Sequence, residues 1–185
     1  MIKEVVSHAE DGMKKTVEAF EHELAGMRAG RAYPGLLERI NVEYYGALTA
    51  IQHLASISVP EPRMLVVQPF DKNSLPAIEK AIMKADLGVG VRVDGSVIRV
   101  SVPALTEERR KDLVKQLKKM LEEAKIGMRN HRRDALDAMK SLQKEKKVTE
   151  DEERRGQTDV QKLTDRYIET LEKIAERREK DIMTP

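Results

Sequence analysis

The segment RNHRRDA, residues 129 to 135, places three arginines and a histidine within five consecutive positions. The whole chain has 34 Lys plus Arg against 32 Asp plus Glu, so attraction to a polyanion must come from such local clusters. A guanidinium group presents a planar fork of N–H donors that matches the oxygens of a phosphate. The segment is therefore a candidate for binding a sugar-phosphate backbone.

On a helix with about 100° per residue, the basic side chains around this segment form one stripe that faces mostly away from the apolar side. The stripe consists of Lys125, Arg129, Arg132 and Arg133. His131 points toward the apolar side, where packing is a simpler interpretation than metal binding. Only Asp134 and Asp137 lie near the stripe, whereas a solvated face commonly interleaves acids at i+4. The spacing alone leaves RNA binding and an ordinary solvated surface open.

The composition argues against several other kinds of site. Aromatic residues make up 3% of the chain and tryptophan is absent, which disfavours modules that stack unpaired bases on exposed rings. The chain has no cysteine, so it offers neither a disulfide nor a thiolate metal ligand. No P-loop, GxGxxG, HExxH or GxSxG motif occurs. The sequence therefore predicts a protein that is not an enzyme and that needs no cofactor or metal.

Hydropathy and charge indicate where the protein works. No run of apolar residues approaches the roughly 20 that a membrane span needs. The N-terminus lacks the apolar segment of a secretory signal. We therefore expect a cytoplasmic protein that does not associate with membranes.

Three stretches repeat apolar residues every three or four positions, which is the pattern of amphipathic helices. The first covers residues 2–29, and the second follows Thr106 and continues to about residue 142. The third follows a T-x-x-E capping box formed by Thr149 and Glu152. The apolar seams are narrow, as in coiled coils, and three seams can cover one another. The sequence therefore predicts an antiparallel three-helix bundle.

Residues 31–104 read differently, because polar and apolar residues alternate with a period of two in several short runs. Such runs are typical of strands, and one short helix is predicted among them within residues 73–88. This pattern predicts a small β/α/β domain inserted into the bundle. The bundle itself then takes residues 1–30 and 105–185, and the fold class is α+β.

Two short segments, residues 29–35 and 102–105, would connect the insert to the bundle. Gly30 lets the chain leave the first helix. Because the two connections are adjacent, they predict a hinge, whose candidate residues are Gly30, Arg31, Ala32, Val102, Pro103 and Ala104. Arg28 and Arg31 flank the first connection, and either one could be a hinge anchor or a further phosphate contact.

Five motifs resemble those of the ribosome recycling factor family. They are GRA-P-LL at 30–37, VEYYG at 42–46, LTEERRKDLVK at 105–115, RNHRRDA at 129–135 and DVQKLTDRYI at 159–168. Their order and spacing agree with the family along all 185 residues. The resemblance implies an L-shaped molecule that combines a three-helix bundle with a hinged β/α/β domain.

The resemblance also implies a translation factor that acts after the finished peptide has been released. Such a factor binds the large ribosomal subunit, with its 23S-type RNA, across the A and P sites. Together with elongation factor G and GTP hydrolysis by that partner, it splits the post-termination ribosome. The candidate RNA-binding residues are Arg129, Arg132, Arg133, Lys125, Arg28 and Arg31.

The chain departs from the family pattern at Tyr33, Ala50 and His131, and none of these departures removes a cation. Family members commonly have serine or asparagine, proline, and a small aliphatic residue at these positions. The alternative function is a protein-binding adaptor whose helical seam recruits another helix. An adaptor predicts an oligomer with salt-insensitive affinity, whereas an RNA-binding factor predicts a monomer whose affinity falls with salt.

Overall fold

The computed structural model describes residues 1–27 and 30–184, which divide into two compact units. The described helices are α1 Ile2–Ala25, α2 Leu75–Lys84, α3 Glu107–Lys144 and α4 Glu150–Met183. The described strands are β1 Asn41–Tyr44, β2 Ala47–Ala50, β3 Ala55–Glu61, β4 Met64–Pro69, β5 Gly90–Asp94 and β6 Val97–Ser101. Helices α1, α3 and α4 form one unit, and residues 30–106 form the other.

The first unit is a bundle in which each of the three long helices packs against the other two. Only residues 145–149 join α3 to α4, so these two helices run antiparallel. Gly12 of α1 faces His131 of α3, and Gly127 of α3 faces Thr16 of α1, an order that makes α1 and α3 antiparallel as well. The structure therefore confirms the antiparallel three-helix bundle.

Buried apolar side chains fill the space between these helices. The largest contributions come from Met13, Phe20, Leu24, Leu113, Leu117, Met128, Met139, Val160, Leu171 and Ile182. Most of them lie at positions that the spacing of apolar residues predicts. The apolar spacing of α3 predicts that Ala138 is buried, but Ala138 is exposed and Met139 is fully buried in its place. After the buried Ala135 the seam advances by four residues, because the helix has 3.6 residues per turn.

The ends of the long helices follow from local sequence. Helix α1 ends at Ala25 and not near residue 29, because Gly26 provides the cap. Glycine has a low helix propensity, which favours an end at this point. The capping box at the start of α4 is confirmed: the Glu152 amide donates to Thr149 Oγ1 at 3.1 Å, and the Thr149 amide donates to Glu152 Oε2 at 2.7 Å.

The second unit contains a four-stranded antiparallel sheet in the order β3-β4-β6-β5 and a separate β1-β2 hairpin. Helix α2 contributes Ile78 and Ile82 to the same core that holds Leu65 and Ile98 of the sheet. Strand β2 was not predicted, because its four residues are only exposed or half-buried and so show no alternating pattern. The α+β class is confirmed.

The two ends of the second unit lie side by side. Gly30 has a φ of +84°, and a Cβ at this position would lie 2.5 Å from Leu105 Cγ, so no larger residue fits. The amide of Ala32 donates to Pro62 O at 2.8 Å, and the amide of Val102 donates to Arg63 O at 2.8 Å. Both connecting segments are thus tied to the turn between β3 and β4.

A tyrosine–aspartate hydrogen bond gives this unit a pH-dependent contact. Tyr44 Oη donates to Asp71 Oδ2 at 3.0 Å, and this bond is the main cause that raises the pKa of Tyr44 from 10.0 to about 12. The bond needs the protonated phenol, so its stabilising contribution is complete below pH 10 and is lost as the pH rises toward 12.

We therefore expect that one of the four tyrosines titrates near pH 12 in an absorbance titration of the phenolate band. Tyr44→Phe should remove this late step, and Asp71→Asn should move it back toward pH 10 because the charged acceptor is gone. Persistence of the late step in Tyr44→Phe would contradict the assignment.

Candidate RNA-binding surface

The buried face of helix α3 fixes its rotation and thereby decides where the basic residues of 125–133 lie. Met128 and Ala135 point into the bundle, whereas Arg129 and Arg133 lie one turn apart on the exposed side. Neither of these two arginines forms an ion pair or hydrogen bond within the part of the chain that the structure describes. Both guanidinium groups therefore keep their donors for an acceptor outside the molecule.

Arg132 is held by the neighbouring helix. Its side chain is half-buried beside α4, and its Nη1 donates a hydrogen bond of 3.2 Å to Gln161 Oε1. Its Nε is buried and has no hydrogen-bond partner among residues 1–27 and 30–184. A guanidinium group has five N–H donors, so donors on Nη1 and Nη2 remain after this bond. Arg132 thus combines a fixed side chain with unused donors.

Lys125 is half-buried, whereas the helical wheel predicts that it lies on the exposed stripe. Its side chain is only 16% exposed, and its Nζ lies 2.9 Å from Glu172 Oε1 and 3.8 Å from Glu122 Oε1. Lys125 is drawn toward the bundle because it lies on the side of the stripe that faces α4, where the carboxylate of Glu172 attracts its ammonium group. The positive charge of Lys125 is therefore largely balanced within the bundle.

Arg110 shares one feature with Arg132, since its Nε is also buried without a partner among the described residues. It precedes Arg132 by 22 positions (132 minus 110), or about six turns, so the two side chains lie near the same face of α3. Arg110 is not among the candidate RNA-binding residues predicted from the sequence.

The remaining predicted residues lie at the ends of the second unit. Arg31 is exposed, as are Pro103 and Ala104, whereas Gly30, Ala32 and Val102 are half-buried. Arg28, a further candidate for RNA binding, lies outside the described residues.

Two other kinds of site are not found. Within residues 1–27 and 30–184, no group of three His, Cys, Asp or Glu side chains could hold a metal ion. No described helix is long and apolar enough to cross a membrane.

Comparison with known proteins identifies the chain. Residues 20–183 match the family model described as ribosome recycling factor. The chain belongs to the ribosome recycling factor family. A ribosome-recycling factor of Halalkalibacterium halodurans is 57% identical over 99% of both chains, and that of Bacillus subtilis is 53% identical over 99% of both chains. The resemblance drawn from the five sequence motifs is therefore confirmed.

Solved structures of ribosome recycling factors agree with this assignment. A solution structure of a ribosome recycling factor is 45% identical to this chain, has a TM-score of 0.73 and covers 98% of this chain and 97% of its own. A second match is a T. thermophilus ribosome recycling factor that is bound, with E. coli elongation factor G, to the E. coli post-termination complex. It is 44% identical, covers 100% of both chains and has a TM-score of 0.63.

Proposed function

We propose that this chain recycles ribosomes by binding the large subunit across the A and P sites after termination. With elongation factor G and GTP hydrolysis by that partner, it then splits the post-termination complex. The observation that carries the proposal is the exposed pair Arg129 and Arg133 beside the partly fixed Arg132 on one rigid helix. Further support comes from the similar ribosome recycling factor that is bound with elongation factor G to a post-termination complex.

In this proposal α3 contacts ribosomal RNA through phosphates and not through bases. Three guanidinium groups at the spacing of Arg129, Arg132 and Arg133 suit successive oxygens of a sugar-phosphate backbone. Lys125, Arg28 and Arg31 are secondary candidates. Lys125 would first have to leave Glu172, so we expect it to contribute least.

We further propose that residues 31–104 act as a separate domain that moves about the connections at 29–35 and 102–105. The two connecting segments lie side by side, which supports a hinge. A movement of the domain then needs changes in only a few backbone angles. The chain has no cysteine, so one cysteine introduced into each unit would accept a fluorophore specifically. Single-molecule energy transfer should then show a broad or multiple distance distribution, and one narrow distance would contradict the hinge.

The function is tested by size-exclusion chromatography followed by co-sedimentation with isolated large subunits at two salt concentrations. We expect a monomer whose affinity falls steeply as salt rises, since each phosphate contact adds roughly one unit to the salt slope. An oligomer with salt-insensitive affinity would contradict the proposal. That result would favour the protein-binding adaptor.

A further inference from the structure

A short chain of hydrogen bonds runs from helix α4 to Arg132. Gln161 Oε1 accepts from Arg132 Nη1 at 3.2 Å, and Gln161 Nε2 donates to Asp165 Oδ1 at 2.9 Å. Gln161 and Asp165 are four residues apart on α4, so their side chains are neighbours on one face of the helix. The amide of Gln161 therefore bridges the carboxylate of Asp165 and the guanidinium group of Arg132 on α3.

The two neighbours of this amide specify the same orientation. A carboxylate only accepts hydrogen bonds, so the amide nitrogen of Gln161 must face Asp165. A guanidinium group only donates, so the carbonyl oxygen must face Arg132. Because both hydrogen bonds require the same orientation of the Gln161 amide, this amide restricts the position of the Arg132 guanidinium group.

We propose that Gln161 is a positioning residue that holds the guanidinium group of Arg132 ready for an RNA phosphate. A free arginine side chain samples many rotamers, and a phosphate contact has to stop that motion. Here the motion is already restricted, because the Nε is buried and Nη1 is bound to Gln161. The inference rests on the proposed function, since it assigns a role to a neighbour of the proposed RNA contact.

Gln161 differs from a residue that only stabilises the fold. Its side chain is exposed, and its bond to Arg132 is between two side chains at the surface. A neutral amide leaves the positive charge of Arg132 intact, whereas a carboxylate at the same place would balance it. Glutamine therefore fixes the direction of the cation without reducing its attraction to phosphate.

The test is a double-mutant cycle with Gln161→Met and Arg132→Ala in the full chain, read as affinity for isolated large ribosomal subunits. Gln161→Met should weaken binding by about three- to tenfold, the effect expected when one long side chain has to be immobilised on binding. Its salt slope should stay unchanged because the cation remains. In the Arg132→Ala background the same replacement should have no further effect, because nothing is left to position.

Gln157→Met is the matched control, since Gln157 is exposed on α4 one turn earlier and bonds to Glu153 at 3.1 Å. It should leave the affinity unchanged, and both glutamine variants should keep the thermal unfolding midpoint. Normal affinity of Gln161→Met, or a loss that adds fully to that of Arg132→Ala, would overturn the positioning role. Normal affinity of Arg132→Ala would instead overturn the proposed RNA contact of Arg132.

Gln161→Glu separates orientation from charge. The new carboxylate still accepts a hydrogen bond from Arg132 but also balances its charge. We expect the salt slope to fall by about one unit, as for Arg132→Ala, whereas Gln161→Met leaves it unchanged. Equal slopes for both replacements of Gln161 would contradict the proposal.

Discussion

Replacing Arg129, Arg132 and Arg133 together by alanine is expected to weaken binding to the large ribosomal subunit by at least roughly two thousandfold. A hydrogen bond to a charged group contributes about 1.5 to 3 kcal/mol, and three of them would be lost. The salt slope should fall by about three units, because three fewer counterions are released. Co-sedimentation at several salt concentrations measures both quantities.

The control removes three cations that are already paired. Lys147, Arg154 and Lys173 lie 2.8, 3.2 and 3.2 Å from glutamate oxygens, and their replacement changes the net charge by the same amount. This variant should retain most of its affinity. Equal losses in both triple variants would show that overall charge, and not the stripe on α3, determines binding.

Gly156→Leu is expected to lower the free energy of unfolding by about 2 to 3 kcal/mol, the usual cost of forcing extra volume into a packed core. Gly156 is buried on α4, and a Cβ at this position would lie 2.8 Å from both Ile2 Cγ2 and Met139 Sδ. Leucine needs still more room, so α1 or α3 would have to move away. Urea unfolding monitored by circular dichroism measures the change.

Gly127→Ala provides the control for removing a glycine from a long helix of the same bundle. A Cβ at position 127 would meet Thr16 Cγ2 at 3.5 Å, which is an ordinary contact. Alanine should therefore raise the stability by roughly 1 kcal/mol through helix propensity alone. If Gly156→Leu raised the stability as Gly127→Ala does, α1 and α3 would be able to move away from position 156 at little cost.

Much of the fold could be predicted from the sequence, because the elements that matter are long or strongly patterned. The three helices show many turns of apolar spacing, and Thr149 with Glu152 marks the start of α4 directly. Strand β2 could not be predicted, since its residues are not buried in alternation. The Asp94-Gly95 dipeptide predicts a hairpin turn at these two residues. The turn between β5 and β6 uses Gly95 and Ser96 instead, because Asp94 pairs with Val97.

The candidate site could be predicted only in part. A helical wheel finds the direction of Arg129 and Arg133 correctly, because that direction depends on α3 alone. It fails for Lys125, whose partner Glu172 lies on another helix, 47 positions along the chain (172 minus 125). The bond between Arg132 and Gln161 was missed for the same reason. Contacts between helices depend on how the helices are rotated against one another, which the spacing within each helix does not reveal.

The close approach of Gly30 and Leu105 has a consequence for how the chain reaches its native state. Helices α1 and α3 are far apart in sequence, and a disordered segment as long as residues 30–106 would make their meeting entropically costly by roughly 3 to 4 kcal/mol. Once the insert has folded, its two ends lie together and this loop is already closed. The folded insert therefore lowers the entropic barrier to assembling the bundle.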